Sequence, residues 1–393
     1  MRMFALLPAA VLLAQPPEAI RLTDPVTGRH VTRYASPHHE THHYYDIQPW
    51  SPDGKRVLFF RFDADVAKLS ATGRYPGRLM VMDDDGRNAH AISGTLQGHY
   101  HVGVNQFWGP GGKTVYYSEG GKSRVIDLAS GESREIPAPV QANRMSPDFT
   151  KISCVRGPEW GLFDVASGKY EKLVTHEQAL AISPARELVR DVASGLQNTR
   201  FNPKGGEIII VNAAREEFPR LVEMYLYNYE RRELKHLAAQ LHHPGWRPDG
   251  KAVLFLRRRV FDNFQSLYEV DTATGAERVL SGKHHVPGGH PSYHPLKPHL
   301  IVTDCYGGPL GYGIALLNTQ TGELKQLVTI PTGARPAGPA DDRFPFRNWG
   351  LWMPQRPYLN EPRPVWSPDG KKLLYTSEES GRMNLYVVDT GDL

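Results

Sequence analysis

Apolar residues along this chain come in short alternating runs bounded by Gly, Asp or Pro, and the same two-run unit recurs seven times. In each unit an aromatic or large apolar residue stands two positions before a turn proline. The set is Trp50-Ser51-Pro52, Trp108-Gly109-Pro110, Met145-Ser146-Pro147, Phe201-Asn202-Pro203, Trp246-Arg247-Pro248, Tyr293-His294-Pro295 and Trp366-Ser367-Pro368. An apolar run follows each turn, as in Val57-Leu58-Phe59-Phe60 or Leu373-Leu374-Tyr375. A second run and a polar turn complete the unit, as in Arg78-Leu79-Met80-Val81-Met82 before Asp83-Asp84-Asp85-Gly86, or Val125-Ile126-Asp127-Leu128 before Ala129-Ser130-Gly131-Glu132. Alternation bounded by such residues predicts strands. Seven units with one sharp turn each predict an all-β chain folded as a seven-bladed β-propeller.

The seventh unit runs almost to Leu393 and lacks an outer strand, which the segment Ile20 to Tyr34 can supply. The expectation is therefore one domain over residues 19–393, a ring closed by strands from both termini, which leaves no open sheet edge. Longer insertions fall at about 61–77, 175–197 and 328–361. The last is rich in Pro, Arg and aromatics (Trp349, Trp352, Tyr358) and reads as a wall or lid over one face.

Composition adds bounds rather than a function. The net charge is +4, with no basic run, which argues against nucleic acid and suits an anionic ligand. Arg2 followed by the apolar run Phe4 to Leu13 reads as a signal peptide over residues 1–14, cut after Ala14, so the mature chain is expected to be periplasmic or secreted. That run is too short to span a membrane, and no other stretch approaches spanning length. Cys154 and Cys305 fall in the third and sixth blades, too far apart to bridge, and read as two unbonded buried thiols.

The turn prolines also serve as a ruler. Residues that begin the innermost strands sit at one mouth of the central channel. Counting back five from each proline gives Ile47, Asn105, Ala142, Asn198, His243, His290 and Arg363. Five of these seven are polar where a core strand would be apolar, and His243-Pro244, His290-Pro291 and Arg363-Pro364 repeat one pattern in successive blades. Polar residues that merely bridge blades through water are the competing explanation. Near the same ring lie Arg144 and Arg200, two positions closer to the turn, with His42, His43 and Tyr44 in the first blade and His99 and His101 in the second.

Two stretches carry metal-binding residue types at suggestive spacing. His39-Glu40-Thr41-His42-His43 has the form His-Glu-x-x-His, which binds zinc only on a helix. Here Pro37 precedes it and Tyr44-Tyr45-Asp46-Ile47 leads into a strand. Folding the sixth hairpin about Pro295 brings His290 opposite roughly Thr303, with Asp304 and Cys305 beside it. His290, Cys305 and His243 are thus candidate ligands for a divalent metal such as zinc or manganese.

The Ser-Pro-Asp-Gly-Lys turns and Leu-Tyr-x-Val-Asp strands resemble TolB-type propellers. A narrower resemblance, to oligogalacturonate lyases, rests on Arg21-Leu22-Thr23-Asp24-Pro25-Val26-Thr27-Gly28, the His-Pro strand starts, and the ending from Pro364-Val365-Trp366-Ser367-Pro368 to Thr376-Ser377-Glu378. It implies channel-mouth histidines, one a base and others holding manganese. The family's last blade begins with two metal-binding histidines, where this chain has Glu361 and Arg363. Ulvan-lyase propellers, similar at fold level, use His, Tyr and Arg without a catalytic metal. Either resemblance implies cleavage of an anionic, uronate-containing oligosaccharide by β-elimination. Arg363, aided by Arg144 or Arg200, would neutralise the carboxylate. His243 or His290 would be the base and His43 or Tyr44 the acid, with Asn198, Asn105 and His101 as further substrate contacts. The alternative is a non-catalytic periplasmic propeller that binds a protein or glycan.

Overall fold

The computed structural model describes residues 19–66, 73–139, 141–156, 158–189, 196–215, 221–258, 265–286, 289–306, 310, 312–330 and 361–393. The expected signal peptide, and residues 331–360 of the expected lid, lie outside them.

Seven antiparallel sheets form the seven blades of a propeller. Each blade is a meander ordered from the channel outward, such as 242–246, 252–258, 265–271 and 277–279 in the fifth. The sharp turn between the first two strands is built alike in the first, third and seventh blades, where a serine hydroxyl bonds the aspartate two residues on. In Ser51-Pro52-Asp53-Gly54 the Gly54 amide donates to Ser51 O at 2.8 Å, and the Ser51 hydroxyl bonds the Asp53 carboxylate. Gly54 has φ +73°, a left-handed value that a side chain resists. The turn at Ser367 repeats these bonds, with Gly370 at φ +70°.

Alternation along each strand aims successive side chains at opposite neighbours. Val57 and Phe59 pack with Leu374, Leu385 and Val387 of the seventh blade. Leu58, Phe60 and Phe62 pack instead with Val115, Tyr117 and Ile126 of the second. Further clusters fill the other blade interfaces in the same manner.

Closure goes further than one borrowed strand. Ala19–Thr23 and His30–Tyr34 both join the last blade, and His30–Tyr34 pairs antiparallel with the C-terminal strand Asn384–Asp389. That blade therefore has five strands. Thr27, Val26 and the Asp24 carboxylate close the hairpin between the two added strands. The first blade also carries an additional strand, Leu96–His99, paired with Arg74–Asp83, which brings His99 and His101 over the channel mouth. The 175–197 insertion includes two short helices, His176–Ala181 and Arg186–Val189. Among the described residues no helix is long and apolar enough to cross a membrane.

Candidate functional site

The segment His39-Glu40-Thr41 is a strand, so the His-Glu-x-x-His pattern does not sit on a helix. The chain then crosses the channel mouth as His42-His43-Tyr44-Tyr45 before reaching Trp50. This crossing carries Tyr44 to the histidines of two distant blades. Tyr44 Oη lies 2.8 Å from His243 Nε2 and 3.1 Å from His290 Nε2. The two imidazoles stack with ring centroids 4.4 Å apart. His243 and Arg363 have φ of 52° and 49°, a left-handed conformation that costs free energy in a residue with a side chain.

Fixed partners assign the protons in this cluster. The Gln265 amide donates to Val286 O at 2.8 Å, so its Oε1 faces His242 Nε2 at 3.0 Å and accepts from it. If His242 is neutral, its lone pair is on Nδ1, 3.2 Å from His243 Nδ1, which then donates. His243 Nε2 is left as an acceptor, and the Tyr44 hydroxyl donates to it. On the other side, His290 Nδ1 donates to Asp304 Oδ2 at 2.7 Å. With its proton spent on His243, the Tyr44 oxygen accepts from His290 Nε2, so both nitrogens of His290 carry protons.

The electrostatics agree with an imidazolium at 290. Complete burial, the largest effect, lowers its proton affinity, but the Asp304 and Glu361 carboxylates outweigh this and the pKa is raised. Asp304 is itself fixed, with Oδ1 accepting from the backbone of Gly289 at 3.0 Å and His290 at 2.8 Å. Burial and the Glu361 charge raise the Tyr44 pKa well above its usual value, so the phenol stays protonated. Burial also raises Glu361, yet His290, His101 and Arg363 together hold it down to about 2.

Glu361 Oε2 lies 3.2 Å from His101 Nε2 and 3.5 Å from His290 Nε2, so His101 joins the cluster through Glu361. Arg363 is fully buried. Its guanidinium donates to Glu361 O at 3.1 Å, to Thr41 Oγ1 at 2.9 Å and to His101 O, which ties the seventh blade to the first. His43 accepts from the Tyr44 amide at Nδ1 and meets Asn105 Oδ1 at 3.1 Å through Nε2. Burial, then Arg144, lowers its pKa to about 3, so this imidazole is neutral. Arg144 and Arg200 are not brought to Tyr44. Both pair with Asp46, at 2.6 and 2.8 Å, beyond the Tyr45 ring. The side chain of Asn198 lies outside the described residues.

The register of the sixth hairpin corrects the local expectation. Ser292 pairs with Val302 and Tyr293 with Ile301, which puts His290 level with Asp304 rather than Thr303. Cys305 follows on the buried opposite face of that strand, where it pairs with Gly313. Neither cysteine is in a disulfide. Sequence reasoning missed Gln265, His242 and Glu361. The doubled histidine at 242–243 was a signal for the second of these, since neighbouring imidazoles at a strand start can share one proton.

No family model and no curated protein sequence matches this chain. Solved structures do. An oligogalacturonate lyase in complex with manganese superposes with a TM-score of 0.71 at 18% identity, covering 95% of this chain and 96% of the other. An oligogalacturonate lyase from Vibrio parahaemolyticus does so with a TM-score of 0.70 at 15% identity, covering 95% and 96%. TolB from Acinetobacter baumannii reaches only 0.43 at 13% identity over 86% and 81%, too loose to carry an argument. At these identities the likeness establishes the seven-bladed fold.

Among the described residues no group of three or more His, Cys, Asp or Glu side chains is arranged to hold a metal ion. The cationic Arg363 fills one of the strand starts, His243 and His290 both turn Nε2 to Tyr44, and Asp304 is committed to His290 and the backbone.

Proposed function

We propose that the protein is a lyase that cleaves uronate-containing oligosaccharides by β-elimination, without a catalytic metal. The observation that supports this reading is the Tyr44 hydroxyl held between His243 Nε2 and His290 Nε2, whose other partners favour an acceptor on the first and a donor on the second. β-Elimination needs both functions at adjacent carbons, a base for the C5 proton and an acid for the glycosidic oxygen on C4. It also needs positive charge near the uronate carboxylate, because the C5 proton is only weakly acidic until that charge is offset.

In the proposed reaction His243 Nε2 takes the C5 proton. The C5–H electron pair forms the C4=C5 double bond as the C4–O bond breaks. Tyr44 protonates the departing oxygen and recovers its proton from His290 Nε2. One glycosidic bond thereby becomes one unsaturated uronate and one free hydroxyl. At that point His243 holds an extra proton and His290 has lost one. Tyr44 touches both nitrogens, so it can return the proton and reset the pair. The field of Arg363 and the His290 imidazolium offsets the substrate carboxylate, while Asp304 fixes His290 and the Gln265–His242 pair keeps His243 Nε2 unprotonated.

The resemblance to oligogalacturonate lyases makes galacturonate chains the first substrates to examine. Purified protein incubated with oligogalacturonate, pectate, ulvan and glycosaminoglycans should release an ultraviolet-absorbing unsaturated uronate from at least one. No product from any of them, with or without added Mn²⁺, would leave the non-catalytic propeller as the reading to adopt.

A further inference from the structure

Asp304 and Glu361 both serve His290, but the protein holds them in different ways. Asp304 Oδ1 accepts from two backbone amides, at Gly289 and His290, and the residue has no exposed surface. Among the described residues no backbone amide donates to the Glu361 carboxylate. Its Oε2 faces two imidazoles instead, His101 Nε2 at 3.2 Å and His290 Nε2 at 3.5 Å, and the second distance is too long for a firm hydrogen bond. The Glu361 side chain is 17% exposed, whereas that of His290 has no exposure at all. A carboxylate pinned to the backbone is a fixture. One held by other side chains at the open edge of a cluster is exchangeable.

Glu361 also stands where the reaction proposed above needs an anion. That reaction assigns the substrate carboxylate to the field of the His290 imidazolium and Arg363. The same two cations, with His101, keep Glu361 ionised against its burial. A uronate entering beside Glu361 would set two carboxylates against His290, with Asp304 already on its other side, and like charges repel strongly in so buried a site. An empty position is costly too, because His290 would lose one of the two carboxylates that favour its charged form.

We infer that Glu361 is a built-in stand-in for the substrate carboxylate, filling the anion position of the site at rest and swinging out when a uronate enters. The inference rests on the lyase reading for the identity of the ligand. The exchange is one anion for one, so His290 remains an imidazolium with or without substrate and the proton it supplies is not lost between turnovers. Specificity follows from the same exchange. A uronate replaces the charge that Glu361 withdraws, and a neutral sugar does not, so a neutral sugar leaves Glu361 in place.

The test is an NMR titration with galacturonate and galactose, at a pH below the ordinary imidazole value of about 6.5 to favour protonated His290 throughout. Galacturonate as a monosaccharide has no glycosidic bond at C4 to lose, so binding is read without turnover. Glu361→Gln keeps the size of the side chain and removes its charge. It should bind galacturonate about tenfold more tightly than the wild type, with galactose unchanged. Glu361→Ala removes the same charge and should tighten galacturonate likewise. In the wild type, the glutamate carboxyl carbon with the lowest titration midpoint should shift on adding galacturonate and not galactose, a reading that needs no variant. The inference is overturned if galacturonate binds none of these proteins, if removing the charge leaves its affinity unchanged or weaker, if galactose gains equally, or if that carboxyl carbon does not respond. The lyase reading fails separately, by the absence of unsaturated product. Tighter binding without product would remove the reaction and keep the exchange, and product without tighter binding would do the reverse.

Discussion

The Tyr44 hydroxyl lies 2.8 Å from His243 Nε2 and 3.1 Å from His290 Nε2, so one phenol joins histidines from the fifth and sixth blades. Removing only that oxygen leaves both imidazoles, the ring packing and the crossing segment in place. Tyr44→Phe is therefore expected to lower kcat by about 10²–10⁴-fold, the usual worth of a positioned acid, with KM little changed. Steady-state kinetics on whichever uronate substrate is turned over, with circular dichroism to show the fold, gives the answer. Activity within a few fold of wild type would remove Tyr44 from the reaction.

The Asp304–His290 pair sets a pH dependence. His290 has a raised pKa in the folded protein, since Asp304 and Glu361 outweigh the opposing effect of burial. In the proposed reaction the active form carries the imidazolium, so kcat should be retained below that raised value and fall as pH rises through it. The same sign applies to stability: the contribution is present below the unfolded pKa and lost as pH rises through the folded one. Asp304→Asn keeps an acceptor for the backbone amides but removes the charge, and should move the alkaline limb of kcat to lower pH. An unshifted limb would show that His290 is not the group being titrated.

How much of this was legible in the sequence follows from what repeats. Trp50-Ser51-Pro52 and its six counterparts mark turns whose bonds are local, so spacing alone gives the blades and the depth of His243, His290 and Arg363. Tyr44 was visible only as a neighbour of that ring, because its position depends on how the His42–Tyr45 crossing spans the channel. The partnership of His290 with Asp304 was missed by one residue. Proline counting cannot fix hairpin register, whereas the Ser292–Val302 pairing does. Arg144 and Arg200 looked like substrate contacts, since nothing in the repeat reveals that Asp46 from another blade neutralises them. Glu361 was read as the loss of a metal ligand, and its role as the shared partner of His101 and His290 is purely tertiary.

Arg363 is a strut as much as a charge. It is fully buried, and its guanidinium donates to groups of the seventh and first blades. Arg363→Ala leaves the carbonyls of His101 and Glu361 and the Thr41 hydroxyl without that donor, and should cost about 3–5 kcal/mol by analogy with breaking a buried charged pair. Urea unfolding measures this directly. A loss below about 1 kcal/mol would mean that its contacts contribute little to closing the ring.

Among the described residues no ligand set fits a metal, which makes metal dependence a sharp test of the proposed reaction. Exhaustive dialysis against EDTA should leave kcat and KM of the proposed lyase activity unchanged, since the cation near the substrate is supplied by Arg363 and His290. Activity lost on chelation and restored by Mn²⁺ or Zn²⁺ would overturn the metal-free reaction.

The last prediction concerns the relay that holds His243 ready. Gln265 Oε1 accepts from His242 Nε2 at 3.0 Å, and His242 Nδ1 in turn accepts from His243, which keeps the His243 Nε2 lone pair toward Tyr44. Gln265→Leu removes the acceptor that fixes this tautomer and should lower kcat roughly tenfold, the worth of one neutral hydrogen bond, with KM held. Gln265→Glu is the more telling variant. Its carboxylate keeps the acceptor but favours a protonated His242, whose Nδ1–H would compel His243 to accept at Nδ1 and carry its proton on Nε2. That removes the base, so Gln265→Glu should be the less active of the two despite its closer resemblance to glutamine. Nitrogen NMR of the histidine rings reports the tautomers independently of turnover. If His243 keeps its proton on Nδ1 in Gln265→Glu, or if that variant retains full activity, the relay has no part in positioning the base.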